Sequence, residues 1–146
     1  IEEALALLDA LDGGADVAIG SRRFDGEKQV RRSWPRKLMA WGWRTLVHVL
    51  VLKGIHDTQC GFKLFQMDRC RAIFETLRME NYGFDAEVLY LAKKRGLRGK
   101  EVPVLWRHDP GSKVHLLADG AALFWSLLRI RWNDLRGYYR ISQPRL

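Results

Sequence analysis

With 146 residues, 47% of them apolar, the chain is long enough for one domain with its own core and too apolar for a disordered segment. Its 25 basic residues outnumber 17 acidic ones, and the resulting net charge of +8 points to phosphate-bearing partners: nucleic acid, nucleotide or anionic lipid. Two cysteines, Cys60 and Cys70, are too few for a disulfide framework and fit a reducing compartment, and no uncharged apolar run reaches the ~18 residues of a membrane span.

Residues 1–11 read as an amphipathic helix with Ile1, Leu5, Leu8 and Leu11 on its apolar face, ended by Gly13-Gly14. The apolar run 17–19 then fits a buried parallel strand. Gly20-Ser21-Arg22 stands at the carboxyl end of that strand, where ligands gather in open α/β sheets. Arg22 is therefore either a ligand contact or a solvated arginine.

Residues 22–44 carry eight cationic side chains against two anionic ones, most of the chain's excess charge. Ser33 can cap a helix that Pro35 opens, and Arg36 and Lys37 sit in its first turns. Trp34, Trp41 and Trp43 interleave with the charges and lead into the almost wholly apolar residues 38–52. That segment is too short and too interrupted to span a bilayer; it is either core or an interfacial helix.

Asp57-Thr58-Gln59-Cys60-Gly61 is a polar cluster ahead of Phe62-Lys63-Leu64-Phe65, whose alternation reads as a strand with one buried face. Gly61 at its mouth would let a ligand or another backbone come close. The plain alternative is a turn before a core strand. A short helix is expected from Asp68 to about residue 77. Gly83-Phe84-Asp85-Ala86-Glu87 opens the next helix, with Lys93, Lys94 and Arg95 in its last turn. Asp85 and Glu87 both have a simple explanation in the helix dipole, and Asp85 is also a site candidate.

Residues 99–106 alternate as a further strand, and Pro103 favours an edge position or a bulge. Pro110-Gly111 then turns the chain and brings Ser112 and Lys113 forward, hydroxyl beside ammonium, as a usable phosphate grip. The last helix, residues 116–132, is strongly apolar and bordered by Arg129, Arg131, Arg136, Trp125 and Trp132. It either packs on the sheet or lies at a membrane surface.

Taken in order, Gly20-Ser21-Arg22, Arg36-Lys37, residues 57–65, residues 83–87, Glu101-Val102-Pro103-Val104 with Trp106, and Gly111-Ser112-Lys113 resemble the family 2 glycosyltransferases that act on polyprenyl phosphates. The Asp-Thr-Gln-Cys-Gly-Phe-Lys form is closer to the dolichyl-phosphate glucosyltransferase branch than to the mannosyl branch. The resemblance implies a partial GT-A fold, a Rossmann-like mixed sheet flanked by helices. Residues 1–115 would form the acceptor-side half, and 116–146 an amphipathic, membrane-interfacial helix.

The family's nucleotide-binding strands and Asp-x-Asp metal motif would lie ahead of residue 1, which leaves the isolated chain expected to be inactive. The implied reaction transfers glucose from a UDP-sugar to a polyprenyl or dolichyl phosphate with inversion. By resemblance Arg22, Arg36 and Lys113 would hold the acceptor phosphate, and Asp57 would orient the acceptor side or act as base. Ser21, Thr58, Gln59, Gly61, Lys63, Asp85 and Ser112 are further site candidates. Mg2+ or Mn2+ would bind through ligands outside these residues, and the chain itself would supply none. The expected setting is peripheral, at the cytoplasmic face of a membrane, without nucleic acid. The rival reading is a non-catalytic module that binds anionic lipid or nucleic acid through charge alone.

Overall fold

A computed structural model of the chain describes residues 2–22, 55, 57–80, 83–104 and 116–140, with side chains from residue 121 onward in the last stretch. The described residues form an α/β arrangement of four helices and three strands in the order α1 (Glu2–Asp12), β1 (Val17–Ser21), β2 (Lys63–Phe65), α2 (Met67–Phe74), α3 (Phe84–Lys94), β3 (Gly99–Pro103) and α4 (Leu116–Leu135). The basic segment 23–54, His56 and the Ser112-Lys113 turn lie outside the described residues.

The sheet is small, open and mixed. Its order is β2-β1-β3, with β2 antiparallel and β3 parallel to β1. Val17 faces Phe65 across one seam and Gly99 across the other, and Ile19 faces Lys63 and Glu101. All five residues of β1 are buried, as a strand covered on both faces requires. Pro103 lies on β3 at the edge of this three-stranded sheet, where its missing N–H costs no ladder bond.

Side-chain alternation divides the core into two parts. Val17 and Ile19 point into the larger cluster, with Val88, Leu89 and Leu91 of α3 and Leu127 and Ile130 of α4. Ala18, Val102 and Val104 point the other way, onto Leu7 and Ala10 of α1 and onto Cys60. Strand β2 follows the same rule: Leu64 packs with α1's cluster and Phe65 with the other. The expectation of a single buried face on residues 62–65 is thus corrected. Both faces are covered in part, and it is Phe62 that is exposed.

The apolar face of α1 is also corrected. Leu7 and Ala10 enter the core, while Leu5 and Leu8 stand exposed at 55% and 46%. The helix is leucine-rich on nearly every side, so periodicity alone offered two competing faces, and contact with the sheet selected the one centred on Leu7. Gly14, at a φ of +91°, ends α1 in a backbone region that only glycine enters cheaply.

Close approach is concentrated at Gly20 rather than at Gly61. Gly20 N–H donates to the carbonyl of Phe62 at 2.8 Å. A Cβ on Gly20 would stand 3.0 Å from that oxygen, 3.1 Å from Val104 Cγ1 and 3.2 Å from Cys60 Sγ, whereas one on Gly61 would meet nothing within 4 Å. Two buried carboxylates tie elements together. Asp16 accepts Arg98 N–H at 2.8 Å and pairs with Arg69 at 3.3 Å. Glu87, fully buried in α3, accepts the N–H groups of Arg78 and Met79 and the hydroxyl of Tyr139. Burial, and then the bond to Glu87, push the Tyr139 phenol well above its ordinary pKa, so it stays a donor.

The packing of α1 yields a direct contrast. Leu7→Ala should lower stability by about 2–5 kcal/mol, the range for truncating a fully buried leucine. Leu8→Ala should stay within about 0.5 kcal/mol, as an exposed position does. Urea denaturation of both variants checks this, and equal losses would return Leu8 to the core.

Candidate functional site

The carboxyl end of β1 gathers the chemistry. Arg22 follows the last strand residue and forks onto Asp57, its Nε donating to Oδ2 and its Nη2 to Oδ1, both at 2.7 Å. The Arg22 backbone N–H adds a third bond to the same carboxylate at 3.1 Å. This bidentate geometry suits guanidinium and carboxylate and fixes both groups in orientation. Asp57 is nearly buried, while one third of the Arg22 side chain remains exposed. Burial alone would raise the Asp57 pKa. The bonds from Arg22 and the charges of Arg22 and Lys63 outweigh it and hold the carboxyl below its ordinary value of 3.8.

Glu101 secures this loop from β3. Its Oε1 accepts the backbone N–H of Asp57 at 2.9 Å, across 44 residues of sequence. Lys63 on β2 is buried to 4% exposure at its side chain and donates to Asp85 Oδ1 at 2.7 Å and to the carbonyl of Cys60. A side chain of this kind placed so deep calls for partners, and Asp85 and the Cys60 carbonyl supply them. Asp85, in the first turn of α3, is one-third exposed, so that pair connects the buried floor to solvent.

Several residues singled out from sequence therefore meet here. Arg22, Asp57, Lys63 and Asp85 form two linked ion pairs. Thr58 is buried, Gln59 and Gly61 are exposed on the same turn, and Ser21 is wholly buried with its hydroxyl unpartnered among the described residues. Arg36, Ser112 and Lys113 lie outside the described residues. Glu101 is a part of the site that sequence reasoning did not single out, although it opened one of the matched stretches. Its role depends on a contact between strands that no local pattern reveals. Cys60 is buried and packs against Gly20, which gives the thiol a structural place. Among the described residues no three His, Cys, Asp or Glu side chains stand together as a metal site. Asp57 and Asp85 already face cations.

Comparison with known proteins gives a consistent family of relatives. The chain is 36% identical over 142 residues to a dolichyl-phosphate β-glucosyltransferase of Dictyostelium discoideum, covering 97% of this chain and 43% of that protein. It is 39% identical over 126 residues to the one of Saccharomyces cerevisiae, covering 85% and 38%, and 36% identical over 146 residues to the human one, covering 99% and 45%. The resemblance read from the motifs is borne out: nearly the whole chain is homologous to part of these hexosyltransferases. The chain spans well under half the length of these three curated relatives, at 43%, 38% and 45%. No family model and no solved structure matches it.

The Arg22–Asp57 pair has a pH signature. The folded-state pKa of Asp57 lies below the unfolded one, so its contribution is fully present above about pH 4 and is lost as pH falls through the folded value. Asp57→Asn should cost about 1–3 kcal/mol at pH 7, the worth of hydrogen bonds to a charged group. The difference from wild type should shrink in acid, once the native carboxyl is protonated as well. Denaturation curves at neutral and acidic pH measure it, and a pH-independent gap would remove the ion pair as its cause.

Proposed function

We propose that this chain, a homologue of the dolichyl-phosphate β-glucosyltransferases, forms the acceptor side of a GT-A glycosyltransferase. In this reading a hexose, glucose by resemblance, passes from a UDP-sugar to a polyprenyl or dolichyl phosphate with inversion at the sugar carbon. The observation that carries the reading is the fork of Arg22 on Asp57 at the carboxyl end of β1. That is where an open α/β sheet binds its ligands.

An acceptor phosphate is already anionic, with a second pKa of about 6. It needs charge compensation and alignment more than it needs a base. Arg22 would hold it, with Arg36 and Lys113 as further cations. Asp57, ionised and locked onto Arg22, is a weak base and a good orienting group, which favours the first of its two expected roles. Thr58, Gln59, Gly61, Lys63 and Asp85 shape the same end of the sheet, with Ser21 beneath and Ser112 beside Lys113. A phosphate oxygen attacks the anomeric carbon, the bond from that carbon to UDP breaks, and its electron pair leaves with UDP.

Mg2+ or Mn2+, when bound, would offset charge on the donor diphosphate through ligands contributed from outside these residues. In the same reading residues 1–115 are the acceptor-side half and 116–146 an interfacial segment. The protein works peripherally at the cytoplasmic face of a membrane, where the lipid phosphate is presented. No helix among the described residues is long and apolar enough to cross a bilayer.

Binding of a short, soluble prenyl phosphate such as citronellyl phosphate, followed by calorimetry on this chain, tests the acceptor role. Arg22→Ala should weaken it about 10- to 150-fold, the equivalent of about 1.5–3 kcal/mol for a bond to a charged group. Arg23→Ala, to which the reading gives no contact with the phosphate, should change it less than about threefold. Citronellol, which lacks the phosphate, should not bind. Equal affinities for both variants would replace this reading with that of a binding module acting through net charge.

A further inference from the structure

A second basic surface, sharing no residue with the Arg22–Asp57 cluster, is built on the last helix. Trp125, Arg129, Trp132 and Arg136 recur at i, i+4, i+7 and i+11 and so line one face of α4 and its continuation. The opposite face, with Leu123, Leu127 and Ile130, is buried in the protein. Trp125 and Trp132 are 67% and 55% exposed, a large apolar area to leave in water.

Arg129, Trp132, Asn133 and Arg136 meet Arg78 and Tyr138 around an open cleft of about 510 Å³. The Arg78 guanidinium lies 4.6 Å over the Tyr138 ring and that of Arg136 lies 4.7 Å over the Trp132 ring. Stacking uses the flat face of a guanidinium and keeps its in-plane N–H groups available to oxygen acceptors. Among the described residues no carboxylate lies within ion-pair distance of Arg78, Arg129 or Arg136. Asp134, the acid nearest along the helix, is held by Lys94 and Tyr90 instead. Three arginines thus line one open cleft, and a phosphate is the kind of anion that such a set of guanidinium groups attracts.

We infer that this face docks onto a membrane of anionic phospholipid, with a headgroup phosphate in the arginine cleft and Trp125 and Trp132 at the level of the interface. Arginine supplies charge and a fork that fits phosphate oxygens. Indole supplies a rigid amphipathic body that settles at the boundary between headgroup and acyl chain. The inference rests on the reading above, in which 116–146 is an interfacial segment, and uses none of the acceptor-site residues.

Co-sedimentation of the chain with phosphatidylcholine vesicles, with and without phosphatidylserine, tests it at low salt. The wild type should pellet with the phosphatidylserine vesicles only. Arg129→Glu/Arg136→Glu should cut that partition by about tenfold or more. Arg71→Glu/Lys100→Glu, the same charge change at exposed positions outside the cleft, should cut it far less. Circular dichroism establishes that each variant is folded, and Arg129→Gln/Arg136→Gln takes the place of the reversal if that one is not.

Trp132→Phe should lose a share of the fluorescence quenching by brominated lipid, which places the indole at the interface. Arg22→Ala should keep vesicle binding while losing citronellyl phosphate, so failure of the docking surface and failure of the acceptor site give different results. Equal losses from the two charge-reversed pairs, or cleft variants that weaken binding to a single-stranded oligonucleotide but not to vesicles, would overturn the inference.

Discussion

The arrangement depends on the absence of a side chain at Gly20. Residues 57–62 pass close to the end of β1 because the Phe62 carbonyl can take the Gly20 N–H at 2.8 Å with nothing between them. The same gap admits the Cys60 thiol and Val104. A side chain there would push against a backbone oxygen that belongs to the β1–β2 seam and cannot rotate away. Close passage of this loop sets Asp57 against Arg22, and pairing of Ile19 with Lys63 sets the lysine under the same loop. The site is a consequence of how tightly two strands can pack.

Its electrostatics follow from that packing. Arg22 and Lys63 each face a carboxylate, and Glu101 takes up the Asp57 amide. Isolated buried charges would be costly, whereas this set is paired and hydrogen-bonded. Burial opposes ionisation of Asp57, and the two cations outweigh it. The exposed part of the cluster is cationic at Arg22, while the carboxylate behind it stays buried. Such a pair offers a positioned guanidinium to an anion from solvent, with its orientation fixed before the anion arrives.

Much of this was legible in the sequence where chemistry and pattern coincided. The buried strand ending in Gly20-Ser21-Arg22, the turn at Asp57, the helix opening at Asp85 and the edge placement of Pro103 all follow from local residue types. What was not legible depends on distance along the chain. Nothing near Glu101 announces that its carboxylate will take the Asp57 amide. Nothing near Glu87 announces a bond from Tyr139. The face of α1 was ambiguous because leucines at 5, 7, 8 and 11 satisfy more than one stripe, and only the sheet decides between them. The close backbone contact at Gly20 was not read for a related reason. Gly61 stands next to the motif in sequence, whereas the close contact is made across the sheet at Gly20.

The last helix shows how one element can serve both the core and a surface. The sequence left two readings of it, packing on the sheet or lying at a membrane. Its inward face meets the first reading, and its outward face is the one that the second would use. Leu127 and Ile130 join the cluster that covers β1, while Trp125, Arg129 and Trp132 face outward. Asn133 and Tyr139, through Glu87, fasten the end of this helix to α3. The outward stripe is therefore mounted on a rod held by buried leucine, isoleucine and a carboxylate network. Side chains on a rigid element lose less freedom on contact than side chains on a loop, so a given set of arginines and indoles binds an interface more effectively from such a helix.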